Sequence, residues 1–263
     1  MLRRLVLLVV DVGNTQTHFG AYDGQKLVEH WRFATVREST SDELGAALLA
    51  LLALRGLGFA DIDASIVSST VPQLRPEWTA MAARYLGHEM PVVGPGVRTG
   101  MPIRIDNPRE LGADRLTNAV AAYEKVGGPV VVVDLGTALT FDVVSAAGEY
   151  LGGIIAPGVE ISMEALTQRA AALPKIDLTA PRSLIGKGTV DAIRSGVIYG
   201  FAGQVDAIVS RLRDELGEET EAIATGGLAS AIVPFCETID DVDEELTLEG
   251  LRIIWERNQE PAG

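Results

Sequence analysis

Val9-Val10-Asp11-Val12-Gly13-Asn14-Thr15 is the stretch on which the fold turns, because the chain answers it 123 residues later. The second copy reads Val132-Val133-Asp134-Leu135-Gly136-Thr137-Ala138. Each copy follows a short run of β-branched and aliphatic residues, the pattern of a strand buried on both faces. Each also precedes a second strand that ends in a glycine turn, at Gly24 and at Gly148. One Asp-x-Gly after a strand is common. Two, each near the start of half a chain, point to an internal duplication. The expected architecture is therefore α/β, two related domains with a cleft between them. The division is expected at 1–117 and 118–263, with the hinge between about Pro108 and Val130.

The elements outward from these anchors follow from pattern and punctuation. Strands are expected over 5–10, 26–34, 63–68, 90–93, 130–133, 141–145 and 221–225. The strand over 26–34 is expected to pair antiparallel with the first, through a turn at Tyr22-Asp23-Gly24. Helices are expected from Ser41-Asp42-Glu43 to Arg55, and over 77–86, 112–125, 196–216 and 246–257, with an alanine-rich helix running through Ala172. Gly152-Gly153 and Pro157-Gly158 read as turns, and the segment from Gly94 to Pro108 as a loop or hinge.

Composition narrows the partners. The 263 residues carry 22 basic and 36 acidic side chains, a net charge of −14. So acidic a surface repels nucleic-acid phosphates and anionic lipid, and neither is expected as a partner. A small anion can still bind where a pocket gathers cations. The 47% hydrophobic content supports a real core. A single cysteine, Cys236, allows no intramolecular disulfide and no CxxC site, so a reducing cytoplasm is expected. The longest apolar stretch, 44–54, falls short of the ~20 residues a membrane span needs. No cleavage site follows the apolar run after Arg3-Arg4, so a soluble, unprocessed chain is expected. His18, His30 and His88 are scattered singly, without metal-ligand spacing.

The paired motifs carry the chemistry. Gly13 lets backbone approach a ligand, Asn14, Thr15 and Thr17 can donate to phosphate oxygens, and Asp11 can hold a divalent cation. Gly136, Thr137 and Thr140 repeat the arrangement with Asp134 as the second carboxylate. Two such hairpins could grip a triphosphate and its metal; the plainer alternative is a pair of tight turns with capped backbone. Gly186-Lys187-Gly188-Thr189 is not a P-loop, because Gly188 stands where Ser or Thr must follow the lysine. Gly94-Pro95-Gly96-Val97-Arg98-Thr99-Gly100 misses the dinucleotide spacing. No Gly-x-Ser-x-Gly elbow offers an acyl-transfer serine. Gly112-Ala113-Asp114-Arg115 opens a helix whose free N–H groups favour an anion, with Arg115 as a fork for a carboxylate and Asp114 able to take a proton. From spacing alone, routine capping by an Asp in a first helical turn beside a basic residue is the stronger reading of the same residues. Thr225-Gly226-Gly227 could lie beneath a base or merely turn the chain.

Taken in order, Asp11 to Thr15, Asn107-Pro108-Arg109-Glu110 into Gly112 to Arg115, Asp134 to Thr140, Gly152-Gly153 through Pro157-Gly158, Gly186 to Thr189 and Thr225 to Gly227 resemble the type III pantothenate kinases. That family sits in the acetate kinase/sugar kinase/Hsp70/actin superfamily. The resemblance implies two duplicated ribonuclease H-like (actin-like ATPase) domains with an interdomain cleft. It implies phosphorylation of pantothenate by ATP to 4′-phosphopantothenate, the first step of coenzyme A biosynthesis. By position it implies ATP contacts from Asp11, Val12, Gly13, Asn14, Thr15, Gln16, Thr17, His18 and Thr137. Pantothenate contacts would come from Gly112, Ala113, Asp114, Arg115 and Thr189, with Asp114 as general base. Asp134 would hold a monovalent cation (K⁺ or NH₄⁺) and Asp11 a Mg²⁺ ion with the ATP. A homodimer is implied, with the pantothenate pocket near the subunit interface. Ile105 departs from the family, where a tyrosine often stands near the pantothenate. Two alternatives remain open at this point: an accessory nucleotide-binding protein without kinase activity, and a phosphohydrolase in which water replaces the alcohol.

Overall fold

In the computed structural model, which describes residues 6–169 and 176–259, the two copies of the motif build two sheets of matching design. Val6–Val12 (β1), Gln16–Asp23 (β2) and Lys26–Ala34 (β3) form an antiparallel meander, and Ile62–Ser69 (β4) pairs parallel with β1, giving the order β3-β2-β1-β4. Val130–Leu135 (β5), Ala138–Val144 (β6) and Tyr150–Pro157 (β7) repeat the meander. Glu221–Thr225 (β8) pairs parallel with β5, and Asp241–Val242 (β9) extends the order to β7-β6-β5-β8-β9. Even the irregularities correspond. The second and third strands slip register between Ala21 and Tyr22 in one sheet and between Val143 and Val144 in the other.

Contacts divide the chain into two units: residues 1–100, 107–121 and 247–263, and residues 101–106 and 122–246. In the first, one face of β1 sends Val6, Leu8, Val10 and Val12 into a core with Leu44, Leu48 and Leu52 of helix α1 (Ser41–Ala53) and Trp78 of α2 (Leu74–Met81). Each buried leucine contributes about 1.5–3 kcal/mol. The opposite face carries Leu7, Val9 and Asp11, because side chains alternate along a strand. There Leu248 of the last helix lies 3.0 Å from where a Cβ on Gly20 would stand, so the helix packs closely on β2. Helices 113–126 (α3) and 246–259 meet at Gly250, whose missing Cβ leaves room for the backbone of Thr117. Close by, Thr247 donates its hydroxyl to the buried Asn118 at 2.6 Å.

In the second unit, Val131, Val133 and Leu135 of β5 and Leu139 and Phe141 of β6 pack against Ile198, Ala202, Val205 and Val209 of the 28-residue helix Thr189–Leu216. Val132 and Asp134 take the other face. Val159–Arg169 forms α4, Thr189–Leu216 is α5, Ala229–Ile232 is α6 and Leu246–Gln259 is α7.

Several expectations change. Lys26–Ala34 pairs with β2 rather than with β1, because the stretch read as a phosphate loop becomes a strand immediately after Thr15. Gly152 and Gly153 lie inside strand β7, with Gly152 at φ +128 beside the register slip, where a glycine admits the bend. The long helix starts at Thr189, not Gly196, since its glycines face open space and break nothing. Helix α2 starts at Leu74 and widens into a π turn over Ala82–Leu86, which Gly87 stops at φ +75. Only a single bridge, Val67 to Val92, forms where a strand over 90–93 was expected. Thr40 rather than Ser41 caps α1, in a reciprocal capping box with Glu43. Leu5 and Ala172, the ends of two expected elements, lie outside the described residues.

Candidate functional site

The first hairpin turn places Gly13, Asn14 and Thr15 at its tip, closed by the Gly13 N–H donating to the Gln16 carbonyl at 3.0 Å. A Cβ on Gly13 would come 2.9 Å from that carbonyl oxygen. Asn14 and Thr15 are exposed, as ligand-facing donors must be, while Val12 is buried and offers only its backbone. The Val12 carbonyl accepts from both the N–H and the hydroxyl of Thr70, each at 3.0 Å, which ties the turn to the end of β4. The Thr17 hydroxyl points to the core face and shares a hydrogen bond with Thr35 at 2.9 Å. Gln16 is exposed at the start of β2. His18 sits opposite Asp11 in the ladder, and its Nε2 lies 3.0 Å from His30 Nδ1. Two of the three histidines that look isolated in sequence are therefore neighbours, because β2 and β3 run side by side.

Asp11 has Ser68 as its parallel partner on β4, so the two side chains share one face. The Ser68 hydroxyl is buried and has no hydrogen-bond partner among the described residues. A carboxylate beside a hydroxyl that still needs a partner fits a hydrated divalent cation.

The second turn is shorter. Gly136 donates its N–H to the Ala138 carbonyl at 3.1 Å, leaving Gly136 and Thr137 between the strands. Two distant glycines press on it. A Cβ on Gly158 would meet the Gly136 carbonyl oxygen at 2.7 Å and the Thr137 carbonyl carbon at 2.8 Å. A Cβ on Gly226 would collide with Asp134 Oδ1 and with the Leu135 backbone at 2.7 and 2.8 Å. Pro157-Gly158 and Thr225-Gly226 thus form a glycine-lined cradle around the Asp134 carboxylate and the Gly136-Thr137 turn. Carboxylate and backbone in so tight a cradle fit a cation bound by oxygen. Thr140, read in sequence as a phosphate donor, spends its proton on Asp142 instead, at 3.3 Å.

The third constellation opens α3. Asp114 and Arg115 occupy its first turn after Gly112, where the helix dipole favours negative charge. A Cβ on Gly112 would lie 2.5 Å from Asp114 Oδ1, so glycine is what lets the carboxylate fold back over the turn. Burial pushes the Asp114 carboxyl above the ordinary carboxylate range; N–H donation from Arg115 and from Asp114 itself, and the Arg115 charge, pull the other way but do not win. A carboxylate of raised basicity is the kind of group that takes a proton from an alcohol. Thr189 begins α5 after the capping residue Gly188, facing a groove of about 650 Å³ that Ser162, Met163 and Leu166 of α4 also line. Gly186 packs onto Ala192, again without room for a Cβ. Ile105 lies beside Gly152, 3.6 Å from where its Cβ would stand, in a segment that pairs along β7.

The sequence profile of the type III pantothenate kinases matches residues 7–211. A type III pantothenate kinase of Moorella thermoacetica is 51% identical over 253 residues, covering 96% of this chain and 100% of that one. The chain belongs to the type III pantothenate kinase family. Two solved structures share the fold of this family member at low identity. An inorganic polyphosphate/ATP-glucomannokinase from an Arthrobacter strain is 17% identical with a TM-score of 0.51, covering 97% of this chain and 100% of its own. A ROK hexokinase from Thermus thermophilus is 13% identical, with the same TM-score and coverage. The α/β architecture is that of the actin-like ATPases and ROK kinases.

Sequence reading missed two residues at the first turn of this type III pantothenate kinase. Arg37 donates to Asn14 Oδ1 at 3.4 Å and brings a positive charge to the turn tip. Thr70 receives Asn14 Nδ2 at 3.5 Å. The only available signal was Ser68-Ser69-Thr70 ending an apolar strand, and for Arg37 there was none.

Proposed function

We propose that the residues described above perform the family's reaction with Asp114 as the base. As a type III pantothenate kinase, the protein phosphorylates pantothenate in coenzyme A biosynthesis. Transfer of a γ-phosphoryl group passes through a loose transition state, so positioning and charge neutralisation do most of the work. The observation that carries the assignment is the Asp114 carboxylate folded back over Gly112 in the first turn of α3 beside Arg115, where burial also raises its basicity. In this reading Arg115 and the backbone at Gly112 and Ala113, backed by the helix dipole, hold the pantothenate carboxylate, with Thr189 as a further contact. Asp114 receives the proton of the primary hydroxyl as its oxygen attacks the γ-phosphorus, and the bond from that phosphorus to the β,γ-bridging oxygen breaks, with ADP as the leaving group. The turn at Asp11 to Thr15, with Gln16 and His18 following, and Thr137 hold ATP. Thr17, expected from the sequence as a phosphate donor, is buried with its hydroxyl on Thr35 and only supports the strand behind the turn. Asp11 would hold Mg²⁺ and Asp134 would hold K⁺ or NH₄⁺, and the charge these ions bring would offset that of the phosphates. Such cations also reconcile two anionic substrates with a protein of net charge −14.

ADP release from MgATP tests the reaction, with and without pantothenate and with K⁺ replaced by choline. Release that depends on pantothenate is the expected result. Release at the same rate without pantothenate would make the protein a hydrolase, and no release under any condition a nucleotide-binding protein.

The homodimer reading is supported by β7, an edge strand whose Leu151, Ile154 and Ile155 are exposed, Ile155 to 64%. Ile161 and Leu166 on α4 add exposed apolar surface to the same unit. Exposed apolar edges are normally covered by a partner. Ile155→Asp is expected to convert a dimer to a monomer in light scattering at micromolar concentration. A wild-type protein that scatters as a monomer would overturn the reading.

A cytoplasmic setting is read from the cysteine count: the single cysteine, Cys236, is a half-buried free thiol and the chain offers it no disulfide partner. No helix among the described residues is long and apolar enough to cross a membrane.

A further inference from the structure

Strand β6 carries Thr140 and Asp142 on one face, two residues apart. Asp142 is fully buried, and a buried carboxylate is costly unless donors satisfy it. The Tyr150 hydroxyl donates to Asp142 Oδ1 at 2.6 Å, and the Thr140 hydroxyl donates to Oδ2 at 3.3 Å. Tyr150 is 1% exposed, so this pair of donors is sealed into the sheet. A threonine hydroxyl has one proton and two lone pairs. With its proton committed to Asp142, Thr140 Oγ1 offers only lone pairs to its other neighbours. In the β5–β6 ladder its opposite residue is Asp134, whose side chain stands on the same face. A carboxylate and a hydroxyl oxygen whose proton is spent elsewhere, opposite each other in the ladder, offer a cation two oxygens on one face.

We infer that Thr140 Oγ1 is an oxygen ligand of the monovalent cation at Asp134, and that Asp142 and Tyr150 are positioning residues that keep its lone pairs available. The inference rests on the assignment of Asp134 to that cation.

The test reads cation binding apart from turnover. The melting temperature of the full chain with MgADP is followed as KCl replaces choline chloride at constant ionic strength, alongside the K⁺ dependence of ADP release. Thr140→Val keeps the shape and removes the oxygen; its K⁺ midpoint should rise about tenfold in both measurements, the worth of one good hydrogen bond or ligand. Thr140→Ser keeps the hydroxyl and should restore the wild-type midpoint. Tyr150→Phe keeps the ring in the core and should raise the midpoint about threefold, with the pantothenate KM unchanged. An unchanged midpoint in Thr140→Val overturns the inference. Should that variant not fold, an unchanged midpoint in Tyr150→Phe overturns it equally. Asp134→Asn separates the two assignments. If it abolishes the K⁺ response while Thr140→Val does not alter it, only the present inference falls; if it keeps the response, both fall.

Discussion

Asp114→Asn protein should lose about a hundred- to ten-thousandfold in kcat, the usual worth of a general base. It should also bind MgATP normally and melt at a higher temperature than the wild type. The two effects share one cause. Burial raises the Asp114 pKa, so the folded protein holds that proton more tightly than the unfolded chain does. At neutral pH the ionised carboxylate therefore costs stability, and the cost disappears as pH falls through the raised value. Asparagine keeps the shape and removes the charge, so the folded state gains where the active site loses. The same sign governs the rate. Only the ionised carboxylate can take a proton, so kcat/KM falls on the acid side, with its midpoint above the ordinary aspartate range. Scanning calorimetry and a pH–rate profile check both halves. A variant that melts lower than the wild type, or turns over at a near-normal rate, removes Asp114 from the role.

Gly226→Ala is expected to destabilise the protein by about 2–5 kcal/mol, combining a positive-φ penalty with overpacking against fixed backbone. Gly226 adopts φ +94, and its new Cβ would strike the Leu135 backbone at 2.7–2.8 Å as well as Asp134. Backbone cannot step aside as a flexible side chain can, so the strain should be relieved by moving the carboxylate. The melting temperature should fall, and the response to K⁺ should be lost with it. Gly227→Ala serves as the stability control, since a Cβ there meets nothing within 4 Å. Equal melting temperatures for the two variants would show that the close approach carries no energy.

How much of this could be read from the chain depended on the range of the interaction involved. The duplicated Asp-x-Gly was legible because a strand ending in a tight turn is local, and both copies delivered the same meander and the same parallel fourth strand. Asp114 at a helix start was legible for the same reason. The pairing of Lys26–Ala34 was not, because β2 was hidden in a stretch read for its chemistry. Gly158 and Gly226 look like ordinary turn residues until the backbone they approach is known; those contacts lie 20 or more residues away along the chain. The Thr140 hydroxyl looked like a phosphate donor. Its partner two residues on could be counted in the sequence, but its direction could not.

By itself, then, the sequence determined two strand-turn motifs, an acidic net charge of −14, one thiol and an ordered set of glycines and carboxylates specific enough to resemble one kinase family. Those are properties of composition and near neighbours. Tertiary structure alone decided that Ser68 stands beside Asp11, that two glycines enclose Asp134, and that burial makes Asp114 more basic than a free aspartate. Each of these depends on which atoms distant segments bring within a few ångströms, and desolvation and close packing act only at that range.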